Sequence, residues 1–259
     1  YLDAAQDLAS RPSVILCSFG DMVRVPGSRQ TLLDAKAAGG DVRTLYSPLD
    51  AIKLAQQQPE SEVVFFAIGF ETTAPLTALA ILQASKLNLS NFSVLCSHVL
   101  IPPAIETLLQ SQEVTIDALL APGHVCAITG TREYERLQST YGLPIVVTGF
   151  EPADILQGVL EAGRYLEDGC SKVTVQYSRA VTRDGNLRAQ QLMAQVFNIT
   201  DREWRGLGVV SRSGLNLRPE FESFDAVQRF SLSLTSDTPD ETYCVQVLRG
   251  SLAPSACPK

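Results

Sequence analysis

The chain has 259 residues, 45% of them hydrophobic and 19% charged, with a formal net charge of -7. Its length accommodates two ordinary domains, and the acidic balance argues against a nucleic-acid backbone as partner. No apolar run is long enough to span a bilayer and the first residues lack a secretion pattern, so the expectation is a soluble, cytoplasmic protein with reduced cysteines and no membrane contact.

The first predicted strand, Ser13 to Leu16, empties into a loop that reads Cys17-Ser18-Phe19-Gly20-Asp21-Met22-Val23-Arg24-Val25-Pro26-Gly27-Ser28. Helical spacing follows from Arg29 to Ala38 and stops at Gly39-Gly40, since glycine suits the left-handed position past a helix end. Val42 to Tyr46 reads as a strand, and Ser47-Pro48 opens the next helix with proline where no amide bond is lost. The polar, proline-containing bridge Gln57-Gln58-Pro59-Glu60-Ser61 is taken as a domain change. Beyond it the pattern predicts strands near 62–68, 92–97, 117–121 and 144–148, with helices near 74–87, 101–112, 131–141 and 152–167.

Lys172 to Tyr177 alternates as a strand and Leu187 to Phe197 as a helix, while Trp204 to Val210 is either a strand or a turn-rich crossing. Phe230 to Pro239 is Ser/Thr-rich and expected to be irregular. Strands alternating with amphipathic helices predict an α/β protein whose largely parallel sheets are flanked by helices. The expected division is a first α/β domain over 1–60, rejoined by 201–235, and a second over 61–200.

Four loops follow four apolar strands, and short strand-to-helix connections place such loops at the carboxyl side of a sheet, on one rim. Cys17, Asp21 and Arg24 share the first loop, where turn chemistry alone explains Gly and Asp, yet Asp and Arg at that spacing can also pair or clamp an anion. Glu71-Thr72-Thr73 follows the second strand and repeats its Gly-Phe-Glu opening at Gly149-Phe150-Glu151. Two carboxylates in one cleft can do acid–base work, although helix-capping glutamates would look the same. His124, after Pro122-Gly123, is a candidate ligand or a hydrogen-bonded structural group, and His98 carries the same two readings. Cys96 and Cys126 read as packing residues and Cys170 as a surface residue. No Cys-x-x-Cys pair, Walker loop or dinucleotide fingerprint is present.

Taken together, Cys17 to Ser28, Gly69-Phe70-Glu71-Thr72-Thr73-Ala74-Pro75, Pro122-Gly123-His124-Val125 and Gly149-Phe150-Glu151-Pro152 with Asp154 resemble the HypD family of NiFe-hydrogenase maturation proteins. Trp204 to Gly208 and Val247-Leu248-Arg249-Gly250 look like that family too. The resemblance implies two similar α/β domains facing a shared cleft, plus a small region that binds a 4Fe-4S cluster. It also implies a scaffold for assembly of the Fe(CN)2CO group, acting with a HypC-type chaperone and a HypE-type cyanide donor. Iron of this kind favours soft thiolate donors, and cyanide nitrogens accept hydrogen bonds. Arg24, Thr72, Thr73 and His124 are expected to donate them, with Cys17 facing the cleft and Asp21, Glu71 and Glu151 orienting groups or moving protons.

The family's Cys-Gly-Gly-His and Cys-Pro-Val-Cys segments do not occur in this sequence, so it reads as an internal fragment. Within 236–259, Cys257 looks like the first cysteine of the cluster-binding stretch and Cys244 is a weaker match. One thiolate cannot hold a cluster that needs four. The rival reading is a stand-alone α/β enzyme that acts on a small polar substrate through Glu71, Glu151 and His124.

Overall fold

The computed structural model describes residues 1–259 apart from 112–113, 205, 235–241 and 258–259, together with the side chains of Thr242 and Cys244. The first sheet has the order β2-β1-β3-β4, all parallel, from β1 (Val14–Ser18), β2 (Asp41–Thr44), β3 (Glu62–Gly69) and β4 (Phe92–His98). The second, β5-β6-β7, is also parallel and is built from β5 (Leu119–Pro122), β6 (Ile145–Thr148) and β7 (Val173–Val175). This is the expected α/β class. The sheets divide between β4 and β5, however, and not at 57–61, because β3 pairs directly with β1.

The period-two alternation of strand side chains sorts the first core into two layers. Val14, Leu16, Val64 and Phe66 point to one face, packed by Ala5 and Leu8 of α1 (Leu2–Ala9) and by Leu32 and Ala35 of α2 (Leu32–Ala37). Ile15, Cys17, Val63 and Phe65 point to the other, packed by α3 (Pro48–Gln57) and α4 (Ala74–Lys86). Sequence dictates the helix starts. Thr31 and Asp34 close a capping box at α2, and Ser47 Oγ accepts from Leu49 N ahead of Pro48 in α3.

α5 (Ile101–Leu109) carries the chain from the first sheet to the second. There, α6 (Gly123–Thr129) and α7 (Arg132–Tyr141) contribute Cys126, Tyr134 and Leu137 to a core with Ala121, Ile145 and Val147. α8 (Pro152–Glu167) packs on the same sheet, against β5 and β6. α9 (Leu187–Val196) then returns to α4, and it leads into an antiparallel hairpin, β8 (Phe197–Trp204) and β9 (Gly208–Leu217).

This hairpin takes the strand alternative offered for Trp204 to Val210, and it is the antiparallel part of the largely parallel set. Its inward residues Phe197 and Leu215, followed by Phe224, complete the first sheet's core, and Leu100 N donates to Ser213 O beside β4. The short α10 (Ala226–Arg229) adds Ala226 to the opposite layer of the same sheet. α11 (Thr242–Leu248) ends beside Thr115, whose amide donates to the Arg249 carbonyl. Residues 230–234 are irregular, as expected, and 235–239 of that stretch lie outside the described residues. No helix among the described residues is long and apolar enough to cross a membrane.

Candidate functional site

At the carboxyl end of β3, Gly69 sits at φ +140°, a conformation that glycine tolerates and other residues avoid, and its carbonyl accepts from Val99 N at 3.0 Å. The tight turn that follows delivers Glu71 into the interior, where it is 2% exposed. Its Oε1 accepts from the amide of Ile101, the first residue of α5, at 2.9 Å. Oε2 is buried and meets no donor. Burial pushes this carboxyl up to about 7 despite hydrogen bonding to its own amide and to that of Ile101, which favours the charged form. The neighbouring titratable groups Cys126 and Tyr134, on α6 and α7, both feel its charge, so Glu71 stands where the two sheet units meet.

His98, at the end of β4, is fully buried. One ring nitrogen, Nε2, lies 3.2 Å from Thr73 Oγ1, and Nδ1 lies 3.7 Å from Cys96 Sγ, which in turn donates to the Leu215 carbonyl at 3.3 Å. Burial lowers the imidazole to about 4 and pushes the Cys96 thiol up to about 12, so both are neutral at physiological pH. His98 thus takes the structural reading, holding the Thr73 hydroxyl at the start of α4. Thr72 beside it is half-buried.

The second sheet builds a different cluster. His124 is exposed at the first turn of α6, and its ring stacks on Phe150 with centroids 4.5 Å apart and 16° between planes. Tyr177, which follows β7, lies 5.3 Å from the same imidazole, and the Arg179 guanidinium sits 4.3 Å from the Tyr177 ring centroid. Arg179 Nη2 donates to Glu151 Oε2 at 2.9 Å, and Arg179 grips both oxygens of Asp154. Gln176 Nε2 adds a bond to Asp154 Oδ1 at 2.8 Å. Hydrogen bonds from Arg179, first among these partners, hold the Asp154 carboxyl well below the usual carboxylate range.

Two glycines make this cluster possible. A Cβ on Gly123 would collide with the Thr148 carbonyl and the Tyr177 ring, and one on Gly149 would collide with Asp154 and the other edge of that ring. Ends of β5, β6 and β7 therefore close around Tyr177. The glycines were visible in the sequence, but Gln176, Tyr177 and Arg179, which they accommodate, were not singled out. Only a signal spanning some 25 positions, from Asp154 to Arg179, would have found them.

The remaining expected residues lie apart. Cys17 does not face a cleft: it is still within β1, opposite Arg43 and Phe65, with its side chain wholly in the core layer under α3 and α4. Burial pushes its thiol up to about 12, so it offers no thiolate. Asp21 and Arg24 are exposed on the loop beyond, and no ion pair joins them among the described residues. Nor does any hydrogen bond, ion pair or ring contact among the described residues link Glu71 and Thr73 to His124 and Glu151. Cys257 is half-buried, and the side chain of Cys244 lies outside the described residues. Cys96 and Cys126 are buried and Cys170 is exposed, as expected. No cluster of three or more His, Cys, Asp or Glu capable of holding a metal occurs among the described residues.

The loops that build these clusters lie in a chain that matches a known family along its length. A family model described as "HypD: Hydrogenase formation hypA family" matches residues 1–259. The hydrogenase maturation factor HypD of Azotobacter vinelandii is 47% identical over 264 residues, covering 99% of this chain and 70% of the relative. HypD of Escherichia coli K12 is 46% identical over 260 residues, covering 99% and 69%. HypD of Cupriavidus necator is 46% identical over 266 residues, covering 99% and 70%. With the match running through every strand-end loop described above, the chain belongs to the HypD family of hydrogenase maturation factors.

Proposed function

We propose that this protein is a scaffold on which the Fe(CN)2CO group of NiFe-hydrogenase is assembled, in the cytoplasm, together with a HypC-type chaperone and a HypE-type cyanide donor. The reading rests on the family match over residues 1–259. The iron group is cargo, passed on to the hydrogenase. The rim that best suits such cargo is the one around Tyr177, where the exposed imidazole of His124 presents a polar edge and Arg179 orients Glu151 and Asp154 through hydrogen bonds. Cyanide nitrogens accept hydrogen bonds, and His124 is placed to donate one. Thr73 belongs to this account through the hydroxyl that His98 holds, and Thr72, Arg24 and Asp21 enter it only as side chains on neighbouring strand-end loops.

A soft-ligand iron wants thiolates. Cys17, Cys96 and Cys126 are buried with thiols pushed up to about 12, so these three serve packing rather than as sulfur ligands of the cargo. A 4Fe-4S cluster does not fit the residues described, because Cys257 has no group of ligands around it.

The test is anaerobic co-expression with HypC-type and HypE-type partners, followed by infrared spectroscopy of the purified complex. Cyanide and carbonyl stretching bands are expected, and His124→Ala is expected to lower both several-fold while the partners still co-purify. A co-purified complex free of both bands would overturn the scaffold reading, and unchanged bands in His124→Ala would remove His124 from it.

A further inference from the structure

A cavity of about 530 Å³ lies where α5, α7, α9 and the β8–β9 hairpin meet, away from the His124 rim. Leu100, Pro102, Met193, Phe197, Ile199 and Leu215 give it apolar walls. Volume and lining of this kind are those of small-molecule sites, in which a few polar groups fix orientation. Glu71 also lines it. Nothing in the fold requires an acid there, since a glutamine would accept the Ile101 amide equally well. What the acid adds is a second oxygen, Oε2, buried and without a donor. A buried carboxyl oxygen left unpaired is destabilising, and a donor on the cavity side would relieve it.

The other charges facing the cavity indicate the sign of a ligand. Glu106, Glu133, Arg136 and Arg212 line it with Glu71, which makes three carboxylates against two guanidinium groups. Arg136 is already taken: Glu106 holds it through two bonds of 2.7 Å and Glu133 through one of 3.1 Å. Arg212 is exposed. After those pairs the lining keeps one buried acid, Glu71, and one exposed cation, Arg212, so the charge set in the buried part of the wall is the carboxyl.

We propose that this cavity binds a protonated organic amine, with an apolar body packed against Met193, Phe197 and Leu215 and its ammonium group on the Glu71 carboxylate. A small turn about the soft terminal torsion of Glu71 presents Oε2 to the ligand while Oε1 stays within reach of the Ile101 amide. An ammonium ion pairs with the ionised carboxyl only. Where Glu71 starts out protonated, binding releases its proton to solvent, the amine keeps its own, and charge balances. Cys126 and Tyr134, the other titratable groups near Glu71, stay neutral throughout, because burial pushes both upward. The proposal does not rest on the iron-assembly reading.

The experiment is calorimetric titration of the whole chain near neutral pH with three probes of one shape: 4-phenylbutylamine, 4-phenylbutanol and 4-phenylbutanoate. The amine is expected to bind at least tenfold more tightly than the alcohol, and the acid most weakly. In Glu71→Gln the amine is expected to fall to the alcohol's affinity, and the dependence of its binding heat on the buffer's ionisation enthalpy, which reads proton release, is expected to vanish. Equal binding of the three probes, or no binding of the amine to the folded wild-type chain, overturns the proposal, and that comparison needs no variant. So does an amine that binds Glu71→Gln as tightly as wild type.

Discussion

Glu71 and His98 titrate in the reverse of their usual order. Burial pushes the carboxyl from its ordinary value near 4.5 up to about 7, and it lowers the imidazole from near 6.5 to about 4. A raised carboxyl stabilises the fold fully below its unfolded value and loses that contribution as pH climbs through about 7. The lowered imidazole does the opposite, since the unfolded chain takes up its proton first and stability falls as pH drops from 6.5 towards 4. Between about pH 4.5 and 6.5 the two slopes oppose each other, so the contributions of these two groups largely cancel. Glu71→Gln removes one slope. Its melting temperature relative to wild type is expected to rise across pH 4.5 to 7, by an amount equivalent to about 3 kcal/mol over the window. The nearby Cys126 and Tyr134 stay protonated throughout and do not disturb the comparison. Parallel melting curves for the two proteins would show that Glu71 is ionised in the fold at all these values. None of this could be read in the sequence, where a Gly-Phe-Glu turn is the same whether its acid caps a helix at the surface or is driven inside. Cys17 teaches the same lesson: two residues nearer the chain start than the loop proper, it follows the strand's alternation into the core.

At the scale of elements, the end of β6 and the start of α8 depend on a residue from another segment. Arg179 lies beyond β7 and is held over Tyr177, yet it supplies the cation for Glu151, which caps α8, and for Asp154 in its first turn. Asp154 is 6% exposed, so removing Arg179 leaves a nearly buried carboxylate with Gln176 as its remaining side-chain donor. A carboxyl held below its ordinary value near 3.8 contributes stability above that pH and loses it as pH falls through its folded value. Arg179→Gln is therefore expected to unfold at lower urea than wild type at neutral pH, and the gap is expected to close as the pH drops below 3.8. A gap that persists undiminished in acid would mean that Arg179 acts through packing on Tyr177 instead. The loops that open α6 and α8 were legible because glycine and proline punctuate them. Neither α6 itself nor the β8–β9 hairpin was. The helix is seven residues long and starts on Gly123, and the hairpin carries an irregular register between Thr200 and Arg202 that blurs its alternation.

Across the whole molecule, two parallel sheets were expected and found, but the chain was divided in the wrong place because local sequence does not encode which parallel strands pair. Gln57 to Ser61 is polar and contains proline, as a domain linker would be, and it is equally suited to the short connection from α3 to β3 within one sheet. What settles the arrangement is long-range burial. Phe197, Leu215 and Phe224, from the far side of the second sheet in sequence, fill the α3–α4 layer of the first core, and α9 packs on both α4 and α6. Two units tied in this way should lose structure together rather than one after the other. Leu215→Ala provides the test. Leu215 is 5% exposed and its carbonyl accepts from Cys96 Sγ and Arg202 Nη2, so truncation opens a cavity beneath β4 without removing a backbone partner. A loss of about 2–5 kcal/mol is expected from urea unfolding. If the hairpin is part of the first sheet's cooperative core, the amides of Leu16 and Phe65 in β1 and β3 exchange faster by the same free energy as those of the hairpin. Faster exchange confined to β8 and β9 would make the hairpin a separate unit resting on a core that stands without it.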